Sequence, residues 1–402
     1  MNHKIISRTV WVLAFVSLFA DVASEMLYPV MPVYLNSIGF SVLLIGVLEG
    51  IAQATAGLSK GYFGKLSDSL GVRLPFVRWG YFLAAISKPL LVLFHLPLWV
   101  VSIRALDRLG KGLRTGARDA LLSEEAAAAT KGRVFGFHRS MDTLGAVFGP
   151  AIALLYLHFA PGHYKTLFLI AFIPGLISVS LVYLLREKRK PAASGSKTGR
   201  YNFFAFLHYW KESPAAYRRL LIGLLLFALV NSSDFFLLFR MKEAGLHDTA
   251  IIGIYIFYNF IYALSSYPMG MAADRWGLKR VYLAGLCFFA VVYLGMAVFE
   301  EQQVYIFLIF MYGFFAAATE GVSKAWISNI SAPADTATAI GTYGAFESIA
   351  TFAASSLTGL VWQVYGAAVA FGLTGVVTVA VIVYLAVATK SPGPKADTPD
   401  KT

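Results

Sequence analysis

The stretch Gly64-Lys65-Leu66-Ser67-Asp68-Ser69-Leu70-Gly71-Val72-Arg73 decides the fold, because it occurs twice. The second copy is Gly270-Met271-Ala272-Ala273-Asp274-Arg275-Trp276-Gly277-Leu278-Lys279-Arg280. Gly64, Asp68, Gly71 and Arg73 match Gly270, Asp274, Gly277 and Lys279 at one constant offset of 206 residues (270 − 64). Each copy closes a long apolar run. The chain therefore reads as two parallel repeats, each with an acidic, glycine-bearing turn after its second helix.

Composition says what surrounds those runs. Of 402 residues, 58% are hydrophobic, 15% aromatic and only 14% charged. A soluble domain carries about 45–50% apolar and about 25% charged residues. The mean hydropathy of +0.66 agrees. A soluble globule, a disordered chain and a disulfide-rich module are excluded. On a soluble protein the net charge of +12 would suggest nucleic acid. On a membrane protein it reflects Lys and Arg in cytoplasmic loops, and no nucleic-acid partner is expected. The single Cys287 permits no internal disulfide and no cysteine-based metal site, and no cofactor is expected.

A membrane-crossing helix needs about 20 apolar residues. Twelve runs qualify: 9–36, 41–64, 75–97, 98–120, 133–159, 165–185, 218–239, 249–272, 279–299, 303–328, 336–363 and 367–389. The first carries Asp21 and Glu25 and no small-residue cleavage site, so it reads as retained rather than as a signal peptide. The expected fold is an all-α membrane protein of 12 transmembrane helices in two six-helix pseudo-repeats. The halves are 1–186 and 218–389. A basic cytoplasmic connector (187–217) joins them, and a disordered tail (390–402) follows. By this division 24 of the 34 Lys and Arg residues lie on one side and three (Lys165, Arg240, Lys242) on the other. That bias places both termini in the cytoplasm.

Two six-helix halves with G-x-x-x-D-x-x-G-x-[KR] after the second helix of each resemble the major facilitator superfamily over nearly the whole chain. The resemblance implies alternating access by rocking halves. It also implies a gate in which Asp68 turns toward the eleventh helix and Asp274 toward the fifth, with Gly64, Gly71, Arg73, Gly270, Arg275, Gly277 and Lys279 completing the two turns. Arg104-x-x-Asp107 is similar to the family's R-x-x-Q-G-x-G motif in the fourth helix. Gly145-x-x-x-Gly149-Pro150 is similar to a pattern that the family associates with exporters and antiporters. Glycines at that spacing pack helices closely, and Pro150 interrupts the helical hydrogen bonding.

Inside the runs lie eight acids (Asp21, Glu25, Glu49, Asp107, Asp142, Asp234, Glu320, Glu347) and seven bases (Lys60, Lys88, Arg104, Arg108, Lys111, Arg139, Lys324). A charge at that depth costs about 2.5–3.5 kcal/mol on insertion scales, so it is either paired or functional. Arg104, Asp107, Arg108 and Lys111 fall on one helical face, with two bases in excess. That excess points to an anionic or carboxylate-bearing solute. Substrate contacts are expected from this stripe, from Arg139, Asn231, Asn259, Glu320 and Lys324. Glu25, Asp234, Asp21, Glu49, Asp142 and Glu347 are the candidate proton carriers, since a desolvated carboxylate can exchange a proton near neutrality.

The resulting expectation is a monomeric, proton-linked secondary transporter of a small organic solute, surrounded by the lipids of a bacterial-type inner membrane and biased toward export. An uptake symporter and a lipid or lysolipid translocase of the same fold are the alternatives. An enzyme is disfavoured, because His138 has no second His at metal spacing and no nucleophile partner.

Overall fold

A computed structural model describes residues 6–94, 96–187 and 203–389. Residues 188–202 of the expected basic connector (187–217) and the expected tail (390–402) lie outside the described residues. The first half contains α1 (Arg8–Glu25), α2 (Met31–Ser37), α3 (Val42–Leu70), α4 (Leu74–Leu93), α5 (Pro97–Glu124), α6 (Lys131–Phe159) and α7 (Tyr164–Val182). After the short α8 (Tyr209–Glu212), the second half contains α9 (Ala215–Ala228), α10 (Phe235–Glu243), α11 (Asp248–Trp276), α12 (Leu278–Val298), α13 (Gln302–Ile330), α14 (Thr336–Tyr365) and α15 (Ala367–Ala388).

Two of the twelve expected helices are broken. The run 9–36 divides at Met26–Val30 into α1 and α2, where Pro29 and Pro32 each remove a backbone donor. The run 218–239 divides into α9 and α10 around Asn231-Ser232-Ser233. The Ser233 side chain competes with the helix for a backbone partner. Ser233 Oγ accepts from Phe235 N at 3.3 Å, and Ser233 N donates to Ser355 Oγ at 3.1 Å.

Seven helices among the described residues are apolar and long enough to cross a membrane. The charged α5 is not among them, yet its 28 residues extend about 42 Å at 1.5 Å per residue. That exceeds a hydrocarbon core of about 30 Å. Its charges face other helices: Arg104, Asp107, Arg114, Arg118 and Asp119 are all buried. Cys287 is exposed on the outer face of α12.

The two halves meet along α3 with α14 and α6 with α11. One end of the bundle carries Arg8, Lys65, Arg73, Arg78, Arg133, Arg218, Arg219 and Arg280, and is called the basic end below. The repeated motif lies there. Gly71 ends α3 in the left-handed conformation (φ +64°), and Gly277 ends α11 at φ +99°. Glycine adopts these angles without steric cost, which is why the helix stop needs it. Gly64 and Gly270 have a different use. A Cβ on Gly64 would lie 2.4 Å from the Ala337 carbonyl, and one on Gly270 would lie 2.2 Å from that of Gly132. Backbone meets backbone across the halves at this end. Further along the same helices, Gly50 and Gly253 have nothing within 4 Å. The paired helices therefore touch at the basic end and separate toward the other.

A methyl group at Gly270 must force α6 and α11 apart. Gly270→Ala is expected to cost about 1–3 kcal/mol, the range for overpacking, and to lower the melting temperature in detergent. Gly253→Ala serves as the control and leaves it unchanged. Scanning fluorimetry of both variants checks the difference.

Candidate functional site

At the basic end the two motif carboxylates each cross to the opposite half. Asp68 Oδ2 accepts from Thr338 N and Thr338 Oγ1, both at 2.6 Å, in the first turn of α14. Asp274 accepts from Gly132 N at 2.7 Å and Arg133 N at 2.9 Å, in the first turn of α6. A helix N-terminus has unpaired N–H groups and a positive dipole end, so a carboxylate from outside suits it. Lys131 Nζ adds a bond to the Ser328 carbonyl at 2.8 Å, and Asn329 Nδ2 one to the Ala128 carbonyl at 3.1 Å.

The two copies of the motif recruit their cations differently. Arg73 lies 2.5 Å from Asp68 and 3.6 Å from Glu124. Its counterpart Lys279 instead donates to the Ala386 and Thr389 carbonyls and closes the end of α15. Arg133 supplies the cation beside Asp274, at 3.4 Å. Arg275, expected in this turn, is exposed. One residue along a helix rotates the side chain by about 100°, away from the interface Asp274 enters.

A second layer of cross-half bonds lies further in. Lys324 pairs with Asp119 at 3.0 Å, and Arg139 faces Glu320 at 3.8 Å. Arg139 also donates to Tyr262 Oη, and Lys60 donates to Ser348 Oγ at 3.3 Å. Asp119, only 1% exposed, also takes Arg118 at 2.9 Å. Asp142 takes Arg139 at 2.9 Å and lies 4.0 Å from Arg118. His138 is buried against Ser17 Oγ at 2.8 Å, and Arg118 Nη1 donates to that same hydroxyl at 3.3 Å, so the ring joins the network through Ser17.

Above this layer a cavity of about 320 Å³ lies between the halves. Pockets for small organic ligands start at about 300 Å³. From the first half it is lined by Asp21, Glu25 and Asp142 and by Lys60, Lys111, Arg114, Arg118 and Arg139. From the second half come Asp234, Glu320, Glu347, Lys324, Asn259 and four tyrosines: Tyr255, Tyr258, Tyr262 and Tyr343. Six carboxylates face six bases, so the excess of base expected from the α5 stripe is absent from the cavity as a whole.

That stripe divides between two places. Asp107 is held by Lys88 at 2.6 Å and Arg104 by Glu49, both inside the first half. With Arg108 they line a side pocket of about 20 Å³, about one water molecule in size. Glu49, expected to be free, is thus ion-paired. Lys111 lines both spaces. The same face continues through Arg114 and Arg118, which lie in the run 98–120 but are not among the intramembrane bases expected from the sequence. Arg104, Lys111 and Arg118 stand seven residues apart, two helical turns each, and that period was the available signal. Arg114 is 4% exposed and stacks on Tyr81 at 4.3 Å. Its Nε and Nη1 have no hydrogen-bond partner.

The remaining candidates fall into place around the cavity. Asp234, at the break before α10, accepts from Tyr312 Oη at 2.7 Å. Glu347 accepts from Tyr343 Oη at 2.6 Å. Among the described residues Asp21, Glu25, Asp234 and Glu347 have no base within 4.0 Å. Asn231 lines a separate small space beside Glu347 rather than the main cavity, with its Oδ1 buried and unpartnered. Gly145 and Gly149 pack on the α1 backbone, 2.7 Å from the Leu18 carbonyl and from Met26 N for an added Cβ. The helix α6 continues past Pro150 to Phe159.

Comparison with known proteins agrees with this architecture. The sequence profile of the Major Facilitator Superfamily matches residues 13–258 and 241–402. An MFS-type transporter of Methanocaldococcus jannaschii is 31% identical over 369 residues, 90% of either chain. The human organic anion transporter MFSD10 superposes with a TM-score of 0.81 at 16% identity, over 95% of this chain and 100% of that one. The transporter FucP, in its outward conformation, superposes with a TM-score of 0.77 at 12% identity, over 96% of this chain and 100% of that one.

Breaking one side of a buried ion pair costs about 3–5 kcal/mol, and removing both partners costs far less. Asp119→Asn is expected to destabilise the protein, and Lys324→Met added to it to recover more than 1 kcal/mol. A double-mutant cycle on thermal unfolding measures that coupling.

Proposed function

The chain belongs to the major facilitator superfamily, and we propose that within it the protein is a proton-linked exporter of a small carboxylate-bearing organic solute. The carrying observation is the cavity between the halves, lined by six carboxylates and six bases and closed off from the basic end by two layers of cross-half bonds. Irregular backbone and charge persist at membrane depth only where they line a water-filled site or another protein surface. The break before Asp234 meets that description.

The basic end is the cytoplasmic one in this reading, by the excess of Lys and Arg there. Both termini then face the cytoplasm of a bacterial-type inner membrane, and the cavity opens outward. The protein works as a monomer, since the site is complete within one chain. Opening the other way requires Asp68 and Asp274 to leave the N-termini of α14 and α6.

Four carboxylates without a nearby base (Asp21, Glu25, Asp234 and Glu347) are the proton carriers. Glu25 and Asp234 come first, because they occupy matching places in the two repeats and both line the cavity. Lys111 and Arg114 receive the solute's carboxylate. Export rests on Gly145-x-x-x-Gly149-Pro150, whose glycines clamp α6 to α1 beside Asp21. Lipid transport fits less well: only Ala146 and Ile340 give the cavity a purely aliphatic wall, too little for an acyl chain.

Glu25→Gln and Asp234→Asn are expected to abolish transport driven by a proton gradient in liposomes, and exchange of labelled for unlabelled solute is expected to persist in Glu25→Gln. The solute is one found by thermal-shift screening of carboxylates. Unchanged proton-driven flux in both variants contradicts the coupling assignment.

A further inference from the structure

The charges lining the cavity balance in number but not in position. The first-half wall carries five bases and three carboxylates, and the second-half wall three carboxylates and one base. The walls are thus formally two charges positive and two charges negative. The aromatic groups divide the same way. All four lining tyrosines belong to the second half, and the first-half wall has none. Tyrosine faces attract cations through the ring quadrupole. Two independent features therefore give the second-half wall an affinity for positive charge and the first-half wall an affinity for negative charge.

The groups left unsatisfied follow that division except Asp21 and Glu25, first-half carboxylates that have no base within 4.0 Å among the described residues. On the first-half wall, among the described residues, Arg114 is buried with two guanidinium nitrogens unpartnered and Lys111 has no carboxylate within 4.0 Å. On the second-half wall, among the described residues, Asp234 has the neutral hydroxyls of Tyr312 and Tyr258 and Glu347 that of Tyr343, with no base within 4.0 Å. Of the other wall charges, Arg139 is engaged with Asp142 and Glu320, Lys324 with Asp119 behind the wall, and Lys60 with Ser348 Oγ.

We propose that the solute is a zwitterion held across the two halves, its carboxylate on Arg114 and Lys111 and its cationic nitrogen on Asp234 and Glu347 among the tyrosine faces. This deepens the transporter reading and rests on it. An anion alone would satisfy one wall and leave the two carboxylates of the other unbalanced. A zwitterion satisfies both, and because it touches both halves it links binding to their relative position. A buried polar group that recognises one end of a ligand discriminates strongly against analogues lacking that end.

The test uses the purified full-length protein and three matched mixtures. They are made from the neutral-side-chain amino acids together with the ω-amino acids from 3-aminopropanoate to 6-aminohexanoate. One mixture has both charged ends free, one is N-acetylated and one is esterified. Thermal shift is read against concentration. The expected result is saturable stabilisation by the free mixture, with at least tenfold weaker half-saturation for the other two. Arg114→Gln weakens it at least tenfold and Arg114→Lys restores part. Should Arg114→Gln fail to fold, Glu347→Gln gives the same reading from the opposite wall. Equal stabilisation by the acetylated mixture overturns the zwitterion and leaves the carboxylate-transporter reading standing. Stabilisation by the esters alone overturns both. No stabilisation by any mixture overturns the zwitterion, and proton-driven flux of a screened carboxylate then decides the transporter reading separately.

Discussion

A helix N-terminus inside a membrane protein presents N–H groups with no partner of their own, and the rest of this structure depends on who supplies it. Here the partner of α14 is Asp68 from α3, and the partner of α6 is Asp274 from α11. Each acceptor belongs to the opposite half. Closure of the basic end is thereby written into backbone hydrogen bonding rather than into apolar contact. Charge-assisted hydrogen bonds are worth about 1.5–3 kcal/mol each. That is enough to hold one conformation and small enough to be exchanged for a ligand's contribution. Gly64, Gly132, Gly136 and Gly270 permit it by letting the backbones approach.

The buried charges are organised around that closure. Those nearest the basic end, Asp119, Lys324, Arg139 and Glu320, pair across the halves and reinforce it. Lys88, Asp107 and Arg104 in the side pocket pair within the first half, Lys88 with Asp107 and Arg104 with Glu49 beside the pocket, and stiffen it. What remains faces the cavity with few partners. A chain with little charge overall has spent most of its intramembrane charge on structure. The residues left over, Arg114, Lys111, Asp234 and Glu347 among them, are those of the proposed site.

The doubled motif and the apolar runs made the fold legible in the sequence, because both are local and repeated. The site was legible only in part. Arg114, Arg118 and Asp119 stand near a helix end, where a cluster of bases reads as a cytoplasmic loop. Their place in the seven-residue rhythm from Arg104 was outweighed by that. Glu320 and Lys324 satisfy each other at i, i+4 on paper, so nothing in the sequence points to Asp119 and Arg139 in the other half. The break at Asn231–Ser233 is hidden by the apolar residues on either side, which dominate any average over a membrane-length window.

The claim that reciprocal carboxylate caps hold the basic end shut is tested most directly by pulsed electron–electron distance measurement. Exposed Cys287 is replaced by Ser. Spin labels go on exposed Leu70 and Trp276 at the basic end, and in a second sample on exposed Leu98 and Tyr365 at the other. With Asp68→Asn and Asp274→Asn combined, the account predicts a longer Leu70–Trp276 distance and a shorter Leu98–Tyr365 distance. Distributions unchanged at both ends would contradict it.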